Sequence, residues 1–356
     1  MAERENIGAL AIHFTAGIAA GALLLRLPVD PHSLSGGLFL LLASLVAIVL
    51  KTRRTALLFP AFLLCGTFCY LTASLAGSAE TTLLELWTAG AAQRLRSYID
   101  SIPFPTGTTA PLLKAFLTGD RSGLSRETVQ VFRSSGASHL LALSGLHMGI
   151  LYLILSRLLW PIGNSLAARR FRYAAILLAA GFFTLMTGAS PSIVRAFLFI
   201  VLNETARMTG RTRNPLRVLA SALLIQLILS PGVILSVGFQ LSYLAMAGIF
   251  LLYTHLEKWY PDGGRFDPVR RIWQAVALSI SCQAFTCPLA WYRFRTFPTY
   301  FLLTNLLAMP LTSLLMGTAV ATIALRSIGL CPGFLIQATD FLCSGLVWIL
   351  GIIASM

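Results

Sequence analysis

An all-α, polytopic helical membrane protein with about eleven crossings is the architecture this chain encodes, and three features point to it. Hydrophobic residues fill 56% of its 356 positions, charged residues only 11%, and mean hydropathy is +0.78, far from the averages of soluble domains. Apolar segments of about 20 residues, the length that crosses roughly 30 Å of hydrocarbon, recur along almost the whole chain. Basic residues gather between them, as cytoplasmic loops require.

The first segment, Gly8 to Leu27, reads as a retained span: it is long, follows Glu3-Arg4-Glu5, and precedes no clear small-residue cleavage site. Further spans fit Ser35 to Leu50, Ala56 to Ala76, Ser138 to Trp160, Tyr173 to Gly188, Ser192 to Ala206, Leu216 to Ser230, Val233 to Tyr253, Ile272 to Tyr292, Tyr300 to Leu325 and Phe334 to Ile353. The clusters at Lys51 to Arg54, Arg169 to Arg172, Arg207 to Arg217 and Lys258 to Arg271 should be cytoplasmic, which puts the amino terminus inside and the carboxyl terminus outside. Four segments follow: a three-span region at 1–76, an outer amphipathic connector at 77–110, a membrane core at 111–325 and a last span at 326–356. The six cysteines have no metal-ligand spacing with a histidine and read as reduced core residues.

The stretch from Glu80 to Ala137 is less apolar, and on the outer side it carries Arg94, Arg96, Lys114, Arg121, Arg126 and Arg133. Within it Leu83 to Ile99 has helical periodicity, with Trp87, Leu95 and Ile99 among polar residues, which suits a helix in the membrane interface. Its arginines either touch lipid phosphates, the reading composition favours, or draw a polyanion to an outer mouth.

The run SHLLALSGLHMGIL, Ser138 to Leu151, sets His139, Ser144, Gly145 and His147 in a greasy segment. On one continuous helix Ser144 and His147 share a face, and His139 and His147 lie about 80° apart, so all of them would line one wet surface. Gly145 permits a break or a close helix contact there, and broken or re-entrant helices at membrane depth survive only where buried or beside water. Met186 to Ser192 reads as a tight reversal, with Arg195 early in the next span, where an arginine costs about 2.5 to 3.5 kcal/mol at the centre and must snorkel, pair or face water. Gln240, Ser242, Gln283 and Asn305 interrupt later spans. They read as packing glue or as a hydrophilic path.

These residues also carry a resemblance. Leu117-Thr118-Gly119-Asp120-Arg121, followed by Phe132 to His147, resembles the central motif of the ComEC family of competence DNA channels. Thr187-Gly188 with Ser192 and Arg195-Ala196, then Gly238 to Tyr243, then Asn305 with Pro310, resemble its later blocks in the same order, over roughly Pro111 to Met316. The resemblance implies a bacterial inner-membrane pore passing single-stranded DNA to the cytoplasm in natural transformation. It marks His139, Ser144, Gly145, His147, Arg195, Gln240 and Asn305 for inspection.

Full-length members resemble a three-part protein, with an outer OB-type barrel and a metallo-β-lactamase-like nuclease. Residues 77–110 are too short for the first, and the five histidines form no clustered metal motif for the second. The expectation is a short form, without cofactor or metal and not an enzyme, served by a separate nuclease, an OB-type DNA-binding protein and a cytoplasmic motor. None of the lysines, Lys51, Lys114 and Lys258, sits in a phosphate-binding loop pattern, so drive comes from a motor, from trapping proteins or from the membrane gradient. A small-solute transporter is the stronger alternative, since polar groups at broken helices also describe substrate sites. An intramembrane serine protease built on Ser144 is weaker, because side chains on one rigid helix rarely meet a substrate carbonyl correctly.

Overall fold

The computed structural model describes residues 6–26, 31–52, 57–75, 83–212, 214–260, 267–295 and 299–356. Glu3 to Glu5, Leu27, connector residues 77–82, and Arg53, Arg54, Arg213 and Arg265 of the basic clusters lie outside the described residues. Among those described there are helices and no strand. They are α1 (Asn6–Leu24), α2 (Pro31–Thr52), α3 (Leu58–Leu75), α4 (Leu83–Asp100), α5 (Thr109–Thr118), α6 (Arg126–Ser134), α7 (Ser138–Leu141), α8 (Gly145–Leu158), α9 (Leu166–Met186), α10 (Pro191–Met208), α11 (Pro215–Leu229), α12 (Val237–Gly248), α13 (Thr254–Glu257), α14 (Pro268–Phe294), α15 (Phe301–Ser327) and α16 (Gly333–Ser355).

Each expected span has a helical counterpart, and the chain is a helical polytopic membrane protein. Seven helices among the described residues are long and apolar enough to cross a membrane. The others fall short for visible reasons. The apolar part of α2 is Leu34–Val46, α11 is short, α9 opens through Arg169, Arg170 and Arg172, and α10 carries Arg195, Glu204 and Arg207.

Contacts divide the chain into two units: Met1–Thr81 with Val201–Tyr243, and Thr82–Ile200 with Leu244–Met356. In the first, α1 and α3 meet backbone to backbone. A Cβ on Gly17 would lie 1.9 Å from the Leu63 carbonyl oxygen, and one on Gly66 would lie 2.1 Å from that of Phe14. The Thr67 hydroxyl donates across the same seam to the Gly17 carbonyl at 2.9 Å. Between membrane helices, where lipid tails are as apolar as leucine, such close approach supplies much of the attraction. Phe14 and Ile18 then pack with Leu227, Phe239 and Tyr243, and the Tyr243 hydroxyl donates to the buried Gln226 side chain at 2.9 Å.

In the second unit one core joins Leu112, Leu113, Phe116, Phe132 and Leu140 to Ala308, Leu315, Leu346 and Leu350 of α15 and α16. A second core gathers Leu143 from the link between α7 and α8 with Met148, Ala180, Phe183 and Ile193 from α8, α9 and α10. The expected amphipathic helix is α4. It buries Thr88, Ala92 and Ile99, with Leu83, Leu86 and Trp87 exposed, and the Trp87 ring meets Phe182 edge-on at 5.5 Å.

Candidate functional site

The stretch Ser138 to Trp160 is not one helix. The four-residue α7 ends at Leu141, Ala142 is extended, and α8 begins at Gly145 with Ser144 as its N-cap. The break therefore precedes Gly145, which is the first helical residue and not a bend inside a helix. The cause is local chemistry: the Ser144 hydroxyl accepts from the Leu146 N–H at 3.3 Å, and His147 Nδ1 accepts from the Ser144 N–H at 3.2 Å. This is a reciprocal capping box with histidine in the place usually held by Glu or Gln. Because Nδ1 accepts a backbone N–H, the ring proton belongs on Nε2. Nε2 is buried and has no hydrogen-bond partner among the described residues.

His147 is 0% exposed, with its ring 5.4 Å from that of Phe116 on α5. The expectation that His139, Ser144 and His147 share one wet surface is thus corrected: His147 faces core. His139 differs. Its Nδ1 lies 3.2 Å from the Gly136 carbonyl, and the residue is exposed. Ser144 Oγ and His147 Nδ1 meet at 3.1 Å, as residues expected to share a face.

Two sequence blocks converge on the break. Gly119 closes α5 at φ 79°, and a Cβ there would lie 2.6 Å from Leu143 Cδ1. Glycine thus serves both the left-handed turn and the close approach. On the other side, Thr187-Gly188-Ala189 makes the expected reversal, with Gly188 at φ 75° and Ala189 at φ 47°, and α10 starts at Pro191. Arg195, 8% exposed, reaches back from α10 until its guanidinium would lie 3.0 Å from a Cβ on Gly145. A guanidinium so close to the first turn of α8 puts a cation beside the positive end of a helix dipole. The pair makes a local concentration of donors and positive charge.

The remaining predicted residues separate. Asn305, half-buried on α15, donates to Ser279 Oγ at 3.4 Å, and its neighbour Thr304 donates to the Ser135 carbonyl at 2.6 Å, tying α15 to the end of α6. Gln283 is half-buried on α14. Gln240 belongs to the other unit, where its amide donates to the Ile234 carbonyl at 2.7 Å. Of the outer basic residues, Arg94, Arg121, Arg126 and Arg133 are exposed, whereas Arg96 bridges Asp120 at 3.1 Å and Lys114 bridges Asp100 at 2.8 Å. The Ser122 hydroxyl and N–H, with Arg96 adding its charge, hold the Asp120 carboxyl below its ordinary range. Sequence reasoning missed Phe116 and Leu143, which pack at the break, and Thr304, which ties α15 to the end of α6. Thr304 adjoins Asn305, but only tertiary contact distinguishes it from other core threonines.

Residues 116–356 match the family model described as Competence protein. The chain belongs to the Competence protein family. Family resemblance extends to curated relatives. ComE operon protein 3 of Bacillus subtilis strain 168 is 27% identical over 234 residues, 65% of this chain and 28% of that protein. Competence protein ComA of Neisseria gonorrhoeae is 30% identical over 232 residues, 61% of this chain and 32% of that one. The uncharacterized protein YcaI of Escherichia coli K12 is 25% identical over 201 residues, 55% and 26% respectively. These alignments cover a third or less of each relative's own length. No solved structure matches. The competence match begins at Phe116, so it takes in the break, the reversal with Arg195, and Asn305.

Proposed function

We propose that this competence-family chain is part of the passage through which a single strand of DNA crosses the bacterial inner membrane to the cytoplasm during natural transformation. The observation that carries the reading is the interrupted α7–α8 segment with the Arg195 guanidinium packed against its first helical turn. A phosphate backbone cannot cross bare hydrocarbon, because each desolvated charge is prohibitively costly, so wall groups and water must replace its hydration. An arginine beside a helix start offers donors and positive charge suited to successive phosphates. His139, exposed just before the break, adds a ring that can donate and accept a hydrogen bond without holding a phosphate tightly enough to stall it. The exposed Arg94, Arg121, Arg126 and Arg133 would raise local DNA concentration at an outer mouth.

The same reading makes the chain a conduit and not a hydrolase. A serine nucleophile needs its base to take the hydroxyl proton. Here the Ser144 hydroxyl lies 3.1 Å from His147 Nδ1, but that nitrogen also accepts the Ser144 backbone N–H and the His147 side chain is fully buried, so the pair serves the helix cap. Strand degradation, outer capture and cytoplasmic pulling fall to separate proteins: a nuclease, an OB-type DNA-binding protein and a motor. The basic loops put the amino terminus in the cytoplasm and the carboxyl terminus outside.

The test is arrival of labelled DNA in the cytoplasm of a strain deleted for this gene. The expected result is loss, rescue by the full chain, and failure of rescue by Arg195→Leu at matched abundance. Undiminished arrival in the deletion strain, with uptake of a small solute lost instead, would transfer the reading to a transporter.

A further inference from the structure

Trp160-Pro161-Ile162 makes a tight turn just after α8, and Gly163 at φ 95° carries the chain round towards α9. Ser165 caps α9, its side chain accepting from the Ala168 N–H at 3.2 Å. The Arg172 guanidinium reaches back and donates to Asn164 Oδ1 at 3.1 Å, which fastens the turn to α9. Away from the turn the two helices share a core through Met148, Ala180 and Phe183. Gly145–Ile162 is long and apolar enough to cross a membrane, so the turn closes one end of a span, at the depth of phospholipid headgroups.

Two properties of the turn are left unanswered within the chain. The first is charge. Arg157 and Arg170 are exposed, Arg172 is half-buried, and no ion pair among the described residues includes any of the three. The sequence has no Asp or Glu between Glu127 and Glu204, and the Asn164 amide that Arg172 meets is neutral. The second is apolar surface. Leu158 is 71% and Trp160 74% exposed, with Ile162, Leu166 and Phe171 exposed beside them. Cations and large apolar side chains alternate over one short turn, so its cover must offer anionic oxygens and hydrocarbon side by side.

We infer that the α8–α9 turn is a binding surface for an acidic phospholipid, with the headgroup phosphate on Arg157, Arg170 and Arg172 and the acyl chains against Leu158, Ile162 and Leu166. The guanidinium fork matches phosphate oxygens in geometry as well as charge. A zwitterionic headgroup carries its own cation, which the same arginines repel, so the surface prefers a lipid with net negative charge. Nucleic acid offers the phosphates, but its flat base faces suit Trp160 and Phe171 and leave the three aliphatic side chains without a partner. The Asn164 clamp adds affinity of its own, because a turn already held in shape loses less freedom on binding.

The inference does not depend on DNA passage, and its test reads lipid contact directly. The full chain is placed in phosphatidylcholine vesicles with a trace of phosphatidylglycerol bearing a photoreactive headgroup, and the labelled peptides are identified by mass spectrometry. Labelling should concentrate on residues 157–172 and fall when plain phosphatidylglycerol, but not more phosphatidylcholine, is added. Each basic residue near an anionic membrane surface strengthens attachment about fivefold, so Arg157→Gln with Arg170→Gln should cut labelling at least about tenfold. Asn164→Ala, which keeps every arginine, should weaken it by a smaller factor. If the double variant does not fold, the exposed Arg170→Gln alone should lower labelling about fivefold. Labelling spread evenly over all the basic loops, equal competition by phosphatidylcholine, or labelling unmoved by the arginine variants would overturn the site. Displacement by a single-stranded oligonucleotide and not by phosphatidylglycerol would overturn it too, and give the surface to nucleic acid.

Discussion

The α1–α3 seam and the α7–α8 break both depend on glycine, yet a methyl group would meet opposite things in the two places. At the seam, Gly17 and Gly66 face backbone carbonyls on the other helix, which cannot yield without the helices parting. At the break, Gly145 faces the far end of the Arg195 side chain, which can swing away. The seam is packing between smooth helices, where small residues substitute for a hydrophobic drive that lipid cannot provide. The break is a polar interruption whose shape is held by a capping box and whose charge comes from a neighbouring helix. Stability should respond at the first and transport at the second.

The largest effect should come from Gly66→Leu or Gly17→Leu. Overpacking a core usually costs about 1 to 3 kcal/mol, but here the added atoms fall on backbone and exceed that range. Little folded protein should be recovered, and unfolding in mixed micelles should shift accordingly. Recovery near the wild-type level would mean the helices are held by something other than their glycines. By contrast, Gly145→Ala should leave unfolding within about 1 kcal/mol, as a flexible side chain gives way.

Next comes Arg195→Leu, which removes the buried cation and should lower cytoplasmic DNA arrival at least about tenfold, equivalent to roughly 1.4 kcal/mol in a barrier. Folding should be spared, because an arginine in a span is costly to place. Gly145→Ala should reduce arrival less, and the double variant should be no worse than Arg195→Leu alone, since both act through the guanidinium. Additive losses would separate Gly145 from Arg195 functionally.

The contrast also explains what was readable in advance. Apolar length located the helices, and Met186 to Ser192 announced its reversal through Gly188 and Pro191. The interruption near Ser144 was visible as polarity, but its position was not. Helical periodicity places Ser144 and His147 on one face, whereas their side chains use that proximity to end the helix and start it anew. Nothing in the local pattern says that His147 will find Phe116, or that Leu143 will press on Gly119, because those contacts join segments more than twenty residues apart. Asp340 is a single acid in an apolar helix, and only the tertiary fold brings the Thr106 and Thr109 hydroxyls to its carboxylate.

A smaller effect should follow at the cap. Ser144→Ala loses the acceptor for the Leu146 N–H and should cost about 1 kcal/mol, within the usual range of N-cap losses. His147→Asn can still present an acceptor to the Ser144 N–H, whereas His147→Leu cannot, so unfolding and DNA arrival should both suffer more in the leucine variant. Equal behaviour of the two would make ring packing on Phe116, not the cap, the role of His147.

The smallest effect belongs to the pair that ties α4 to the turn after α5. Arg96 and Asp120 are both partly exposed, so their bridge should contribute only a few tenths of a kcal/mol. Asp120 is held below the ordinary carboxylate range chiefly by Ser122 and then by Arg96, so its folded form releases the proton more readily than the unfolded chain. The sign follows: the contribution is full above the unfolded value near about 4 and is lost as pH falls through the lower folded value. Arg96→Gln should therefore destabilise slightly at neutral pH and not at all in strong acid, where Asp120 is protonated in either protein. Ser122→Ala should cost more of that acid-sensitive contribution than Arg96→Gln does, because the Ser122 hydroxyl is the larger cause of the shift. Unfolding of both variants in mixed micelles, followed from neutral to acid pH, checks the order. A loss in Arg96→Gln that persists unchanged into strong acid would show that the arginine acts through its packing on α4 and not through its charge.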